Sequence, residues 1–475
     1  MSRQSESRGR YLAKNTAIFA IGNVASRLIS FFLVPLYTNI LTTAEFGVVD
    51  LVTTLCTVLA PILILNINEA VMRFALDKGA DYKKIMSTGL TIFVGAIFLG
   101  ILVIPASSLF SEVAPYSVYI YFYTVTMAGS QLFLCYLRGK ENIALYSVGS
   151  VLQTTIIAMF NILFLAVLHK GITGYFLAYI ISNVITILFA FIAGNVREVI
   201  RDYKFDIKLT KAMATYSVVL IPNTFMWWIM NSSDRVMVTS MIGVAANGIY
   251  AVSYKLPSLV STLTGIFNQA WSYSAIREDG AEDENEYNNM VFKRLISIVM
   301  LLSIALLTIV KPFLRLYVGI DYYSAWKYTP FLILGSAYLT LATFMATSYT
   351  VHKDSFGYLF SATFGAALNI SLNFVLIPIV NVYGAAFATC ISYIAVFAFR
   401  LVHTKKYIKY NINNKEFIGG SVFLILSSVS LFLDNYFGVI IQSIILLLAV
   451  WLYAKTWIPI VRQIAKKIIR RKDNA

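Results

Sequence analysis

LIPNTFMWWIMNSSDRVMVTSMIGVAANGIYAVSYKLPSLV, residues Leu220–Val260, is apolar enough to lie in a bilayer, yet Asn223, Asn231, Asp234, Arg235 and Lys255 interrupt it. A charge at mid-membrane costs roughly 3 kcal/mol on insertion scales, so such side chains tend to face protein or water rather than lipid. The stretch also repeats something near the N-terminus. Shifted by 201 positions, Thr239, Ala245 and Gly248 fall on Thr38, Ala44 and Gly47. The chain therefore reads as two copies meeting here.

Composition widens this reading to the whole chain. It is 59% hydrophobic and 13% charged with a mean hydropathy of +0.74, against about half apolar and a quarter charged in soluble domains. That excludes a soluble globular protein and points to an all-α polytopic membrane protein. Thirty Tyr, 33 Phe and 6 Trp suit interfacial belts and helix packing. Cys56, Cys135 and Cys390 sit singly in apolar runs, without metal-ligand or disulfide spacing. The polar start, MSRQSESRGRYLAKN, runs into a full-length span, so no cleavable signal peptide is expected.

A crossing needs about 20 apolar residues. Fourteen spans are expected, at 15–40, 46–66, 84–109, 114–137, 143–168, 172–194, 213–241, 247–275, 292–314, 325–350, 356–380, 384–402, 416–433 and 436–454. With the N-terminus placed in the cytoplasm, alternate connections collect 31 of the 38 Lys and Arg residues. Arg27, Lys170, Arg235, Lys255, Lys311, Arg315 and Lys327 are the rest. This lopsided split puts both termini in the cytoplasm and explains the net charge of +15 as topology. Nucleic acid is therefore not an expected partner.

The repeat recurs later. Gly174–Ser182 (GYFLAYIIS) resembles Gly384–Ser392 (GAAFATCIS), matching at the glycine, Ala178/Ala388, Ile181/Ile391 and Ser182/Ser392. Six spans per copy make the repeat parallel, with a substrate site expected between lobes near the midplane. The expected division is an N-terminal lobe at 1–208, a C-terminal lobe at 209–408, and two further helices with a basic tail at 409–475.

Polar residues inside spans are the candidate site. Asn23, Arg27 and Ser30 share one helical face in the first span. Arg27 lies roughly 18 Å into that span at about 1.5 Å per residue, deeper than an arginine snorkels. It is either a buried, paired arginine or a cationic ligand for an anionic substrate. Asn223, Trp227, Asn231 and Asp234 form a face of the seventh span; Trp227 and Trp228 offer stacking area to a sugar or simply pack helices. Asp234 and Arg235, near the outer end, fit an interfacial pair as well as a coupling site. Lys255, beside Pro257, either snorkels outward or lines a cavity. Asp50 is a counter-charge or proton-titrating carboxylate, or an interfacial acid. Glu69 and Arg73 read as an i, i+4 pair at the cytoplasmic end of the second span, solvated or gating. The hydroxyl and amide stripes Ser150–Thr154–Asn161, Ser336–Thr340–Thr343–Thr347 and Asn369–Asn373 read first as helix–helix glue, with a hydrophilic cavity wall as the alternative. The acidic run Glu278–Glu286 reads as a solvated loop. There is no GxxxxGK[ST] and no HExxH, and no outer loop is long enough for a catalytic domain. Neither a cofactor, a metal nor enzymatic activity is expected.

KNTAIFAIGNVASRLISFFLVPLYTNILTTAEFGVVDLV (14–52), INEAVMRFAL (67–76) and above all IPNTFMWWIMNSSDRVMVTSMIGVAANGIYAVSYKLPSLV…IFNQAW (221–271) resemble Wzx-type oligosaccharide flippases. These form the polysaccharide-biosynthesis branch of the multidrug/oligosaccharidyl-lipid/polysaccharide (MOP) exporter superfamily. The resemblance implies two six-helix lobes in a V around a central cavity, in a bacterial cytoplasmic membrane. It implies a substrate of undecaprenyl-diphosphate-linked O-antigen or capsule repeat units, flipped to the outer leaflet, with a polymerase and chain-length proteins as partners. Coupling to H+ or Na+ is an expectation, with Asp50 or Asp234 as carrier. Lipid II flippases of the superfamily meet the pyrophosphate with arginines in the first and eighth spans. Arg27 matches the first; the eighth here carries Lys255, which keeps the charge and loses the bidentate fork. A MATE-like cation or drug antiporter of the same fold is the runner-up, disfavoured by deep charges that lean positive. A membrane polymerase or glycosyltransferase is third.

Overall fold

The computed structural model describes residues 22, 24–77, 79–108, 111–277, 280, 282–412, 415–433, 436–454, 456 and 458. Asn23 and most of the basic tail, both singled out above, lie outside the described residues. Among those described there are helices and no strands. In chain order they are α1 (Val24–Ile40), α2 (Thr43–Leu63), α3 (Ile67–Ala75), α4 (Tyr82–Gly100), α5 (Val103–Ser107), α6 (Ser117–Gly139) and α7 (Ile143–Asn161). Then come α8 (Gly171–Ala193), α9 (Val196–Arg201), α10 (Ile207–Met241), α11 (Val244–Ser253) and α12 (Lys255–Arg277). Last are α13 (Glu284–Tyr317), α14 (Thr329–Val351), α15 (Ser355–Val380), α16 (Val382–His403), α17 (Lys415–Ser430) and α18 (Tyr436–Leu452).

Nine described helices are long and apolar enough to cross a membrane, and α1, α11 and α18 are shorter apolar helices. This is an integral membrane protein. Within the described residues each of the fourteen expected spans falls on helix, with three amendments, the first being that the third span divides between α4 and α5. The eighth span is broken at Tyr254, between α11 and α12. Pro257 has no N–H for the carbonyl of Ser253, and its ring crowds that carbonyl. The freed oxygen instead accepts a hydrogen bond from Thr329 Oγ1 at 3.3 Å. The second span stops at Leu63. Its end is closed by Leu65 N–H to Ile62 O (2.9 Å) and Asn66 N–H to Pro61 O (2.6 Å), with Leu65 and Asn66 left-handed at φ 50° and 55°. This is a Schellman-type stop with leucine in the place usually held by glycine, and α3 follows it. The run read as an acidic loop already joins α13 at Glu284, while Glu278 and Asp279 lie outside the described residues.

The chain forms two compact units. One comprises Met1–Trp228, Gly243–Gly248 and Val318–Asp321; the other comprises Ile229–Ile242, Ile249–Tyr317 and Tyr322–Ala475. In the first, α6 packs on α8, α2 and α3, and α7 packs on α8. Ile67, Val71, Met86, Leu132 and Leu137 form its dry centre. In the second, α16 packs on α14 and α15, and α13 carries α17 and α18. Stacked Trp271, Phe344 and Phe292, with Tyr410 set edge-on to Phe344, fill its core at 4.6–5.9 Å between ring centroids.

The repeat noticed in sequence has a packing cause. Within the first unit a Cβ on Gly47 would strike the carbonyl of Val244, and a Cβ on Gly248 would strike the carbonyl of Thr43. Thr43 and Val244 are themselves 201 positions apart. The two glycines thus form one reciprocal crossing that only hydrogen-sized side chains permit. Gly384 opens α16 hard against the backbone of Leu376, and Gly174, near the start of α8, lies close to the Cβ atoms of Lys170 and Phe164.

Candidate functional site

The face predicted on the seventh span is carried by α10, whose one unbroken helix stacks Asn223, Trp227, Asn231 and Asp234. Its most buried acid sits in a well-built polar centre. Asp234 is 2% exposed, and its Oδ2 accepts three hydrogen bonds: from Tyr250 Oη at 2.7 Å, Tyr254 Oη at 2.5 Å and Thr389 Oγ1 at 3.2 Å. Three hydroxyls aimed at one oxygen suit a carboxylate, which only accepts. Behind Thr389, Asn369 donates to Thr389 Oγ1 at 3.3 Å and accepts from Ser233 Oγ and Asn373 Nδ2 at 3.3 and 3.0 Å. The guanidinium of Arg235 lies 5.1 Å from the Tyr254 ring centroid, a cation–π contact. Asp234 is therefore a core residue of the second unit, held by hydroxyls. Asn231, one turn away, accepts from Tyr393 Oη at 3.1 Å.

Sequence reasoning saw Asp234, Asn369 and Asn373 but missed Tyr250, Tyr254, Thr389 and Tyr393. The available signal was the pair of tyrosines at i, i+4 in YAVSYK, directly before the helix-breaking Pro257. The Pro257 break lets Tyr254 sit between helices while Tyr250 stays on α11.

The other candidates divide between the two units. Arg27 is exposed on α1, alongside Ser30, whose hydroxyl turns back to Ser26 O at 3.0 Å. Asn223, Trp227 and Lys255 are half-buried, Lys255 at the first position of α12. Asp50 is 8% exposed in the first unit and accepts from Asn247 Nδ2 at 3.4 Å, while the same nitrogen reaches Gly47 O at 3.1 Å. Asp50 thus belongs to the glycine crossing.

The expected Glu69–Arg73 pair does not form. Arg73 Nη1 meets Asp77 Oδ1 at 2.6 Å on exposed α3 surface, which holds its guanidinium proton more firmly, and Glu69 accepts from Asn68 Nδ2 at 3.4 Å. Asp77 offers the same i, i+4 spacing toward the helix end, where solvent leaves both side chains free to meet. Arg400 needs a second correction. Counted among the orienting cytoplasmic charges, it is instead fully buried, with Nε on Ser361 Oγ and Nη1 on Ala342 O, both at 3.0 Å. The hydroxyl stripes bond mainly within their own helices rather than across them: Ser150, Thr154, Thr340 and Thr343 all return their hydroxyls to carbonyls four residues back, whereas Asn369 reaches Thr389 on α16. Among the described residues no group of three His, Cys, Asp or Glu side chains is placed to hold a metal.

No curated protein matches the sequence. Among solved structures, the fold is similar to a lipid II flippase, MurJ, in an inward closed conformation. The TM-score is 0.66 at 17% identity, covering 94% of this chain and 100% of that one. It is also similar to an inward-facing multidrug resistance MATE family transporter of the MOP superfamily, with TM-score 0.59 at 13% identity over 87% and 96% of the two chains. A MATE transporter of Vibrio cholerae gives 0.53 at 13% over 84% and 97%. Identities this low establish a shared all-helical transporter fold. Residues 12–273, more than half of the chain, match the polysaccharide biosynthesis protein family, and to that family the chain belongs.

Proposed function

We propose that this protein flips lipid-linked oligosaccharides. A polysaccharide repeat unit on undecaprenyl diphosphate would pass from the cytoplasmic to the outer leaflet by alternating access. The observation that carries this reading is membership of the polysaccharide biosynthesis family in a membrane-spanning chain whose described regular structure is helical. The fold shared with a lipid II flippase supports it. A pyrophosphate–sugar headgroup needs a wet, cationic path while its tail stays in lipid. Arg27, exposed on α1, suits the pyrophosphate because a guanidinium offers paired donors. Asn23, Asn223, Trp227, Asn231 and Lys255 are its proposed companions, for the sugar and the second phosphate charge. The repeat supports transport halves at 1–208 and 209–408 with 409–475 appended, a division by sequence that differs from the compact units, whose main boundary follows Trp228. The membrane is the bacterial cytoplasmic membrane, with both termini inside, and an O-antigen or capsule polymerase with its chain-length partner would receive the product.

For coupling we favour Asp234. Its carboxylate sits among three hydroxyl oxygens, and oxygen ligands are the set preferred by a hard cation such as Na+; a proton is the other candidate. Asp50 is the second candidate; Arg235, Glu69 and Arg73 are assigned to gating. A MATE-like cation antiporter shares the fold, but the family match favours a glycan cargo. Replacing Arg27 by Ala should stop surface glycan export at unchanged expression, while Arg27→Lys keeps part of it. Normal surface polysaccharide in the Ala variant would remove Arg27 from the site.

A further inference from the structure

Lys140 closes α6 at a cavity that none of the transport chemistry uses. The cavity, about 340 Å³, lies at one end of the membrane-spanning helices α4, α6 and α8, within the first unit. Asp81, Tyr82, Tyr136, Lys140, Gly194 and Glu198 contribute to its wall. Lys140 Nζ donates to Gly194 O at 3.2 Å and sits 5.9 and 5.4 Å from the ring centroids of Tyr82 and Tyr136. An ammonium has three donors, and the partners described for this one are a carbonyl and two aromatic faces. Its neighbours differ: Lys83 and Lys84 are committed to Asp202 and Asp206 at 2.6 and 3.1 Å.

The carboxylates of Asp81 and Glu198 share the cavity wall with Lys140 but form no ion pair with it. Opposite charges are thus held apart around a space large enough for a small headgroup. Tyrosines at a helix end mark the depth at which headgroups lie. We propose that this cavity binds the phosphoethanolamine headgroup of a membrane phospholipid. A phosphate oxygen accepts from Lys140 Nζ, and the primary ammonium donates toward Glu198 and Asp81. An anionic headgroup would satisfy Lys140 yet meet two carboxylates, and a choline headgroup has no N–H to give them. The site is independent of which substrate is transported.

The test titrates purified full-length protein in detergent with dihexanoyl-phosphatidylethanolamine, the matching phosphatidylglycerol and inorganic phosphate, read by thermal unfolding. Phosphatidylethanolamine should raise the midpoint at lower concentration than phosphatidylglycerol. Lys140→Gln should weaken it about tenfold, as loss of one charge-assisted hydrogen bond does, and Lys140→Arg should retain it. Glu198→Gln, an exposed change, should erase the preference between the two lipids. An equal or stronger phosphatidylglycerol response would make this an anionic-lipid site and overturn the proposal. Inorganic phosphate acting as well as the lipid would make it a free-anion site and do the same. An unchanged response in Lys140→Gln would overturn the location; if that variant fails to fold, the Glu198→Gln arm still decides.

Discussion

Replacing Asp234 probes both the architecture and the proposed coupling, because its two natural substitutes separate charge from hydrogen bonding. In Asp234→Asn the amide oxygen can still face Tyr250, Tyr254 and Thr389, so three bonds to a charged acceptor become three bonds to a neutral one. Bonds to charged groups contribute roughly 1.5–3 kcal/mol and neutral ones about 0.5–1.5, so the exchange costs about 3 kcal/mol in total. Removing a charge buried to 2% exposure returns a desolvation penalty of several kcal/mol. The two nearly cancel, and Asp234→Asn should unfold within about 2 kcal/mol of the parent. In Asp234→Ala all three hydroxyls lose their acceptor, at about 1–3 kcal/mol each, so that variant should be at least about 3 kcal/mol less stable.

Thermal unfolding in detergent gives the stabilities. Flipping of a fluorescent lipid-linked sugar in liposomes, with an imposed Na+ or proton gradient, gives the function. The Asn variant should fold and lose gradient-driven flipping. Equal stability of the Ala and Asn variants would refute the hydroxyl cluster, and gradient-driven flipping at the parent rate in Asp234→Asn would refute coupling through its charge.

Three further outcomes follow from the geometry. Gly47→Ala and Gly248→Ala should each cost about 3 kcal/mol, the upper end of overpacking because the obstacle is backbone; the double variant should cost clearly less than their sum, since one displacement relieves both clashes, and strict additivity in unfolding experiments would contradict the reciprocal crossing. Arg400→Met should leave stability within about 1.5 kcal/mol, since no described ion pair includes this buried guanidinium and methionine fills similar space; failure of that variant to fold would show the charge to be structurally required. Asp354, which caps α15 and accepts from Lys406 Nζ and Tyr407 Oη at 2.9 Å each, is held down to about 2, chiefly by the Lys406 hydrogen bond. A depressed carboxylate stabilises above its unfolded value near 4 and stops doing so as pH falls through 2, so the melting-temperature gap between the parent and Asp354→Asn should be constant above pH 5 and close between pH 4 and 2.

Most of the architecture was readable because a bilayer reduces the problem to length and polarity. Within the described residues every expected span falls on helix, the third and eighth each on two, and the Gly47/Gly248 pair flagged the repeat because backbones meet there. What escaped was anything set by partners distant in sequence. The Glu69–Arg73 spacing was correct for a pair, but Asp77 competes for the same arginine. Arg400 sits beside a basic loop and counts as topology until packing shows Ser361 and Ala342 around it. Asp234 could be placed along its helix by counting, but not in depth within the bundle. That required Thr389, 155 positions away, and the tyrosines of another helix.

The Pro257 break explains why those tyrosines reach the same oxygen. On a continuous helix Tyr250 and Tyr254 would stack one turn apart along one face, about 6 Å from each other at 1.5 Å per residue. Here their hydroxyls lie 3.3 Å apart, converging on Asp234 Oδ2, with ring planes 85° to one another. The break and the carboxylate hold each other in place. Pro257 denies Ser253 its helical partner, Thr329 takes the freed carbonyl, and Tyr254 is left at the discontinuity to turn toward α10. Discontinuous helices beside a buried acid are where membrane transporters place ion sites, because the irregular backbone can shift at low cost when the charge changes. A proton or sodium ion arriving at Asp234 would weaken two tyrosine bonds at once, and both belong to the segment that carries the break. The most awkward charge of the opening stretch is thereby tied to its only proline-broken helix. That is the physical reason to look for energy coupling at Asp234 before Asp50, which is wedged in a glycine crossing with little room to move.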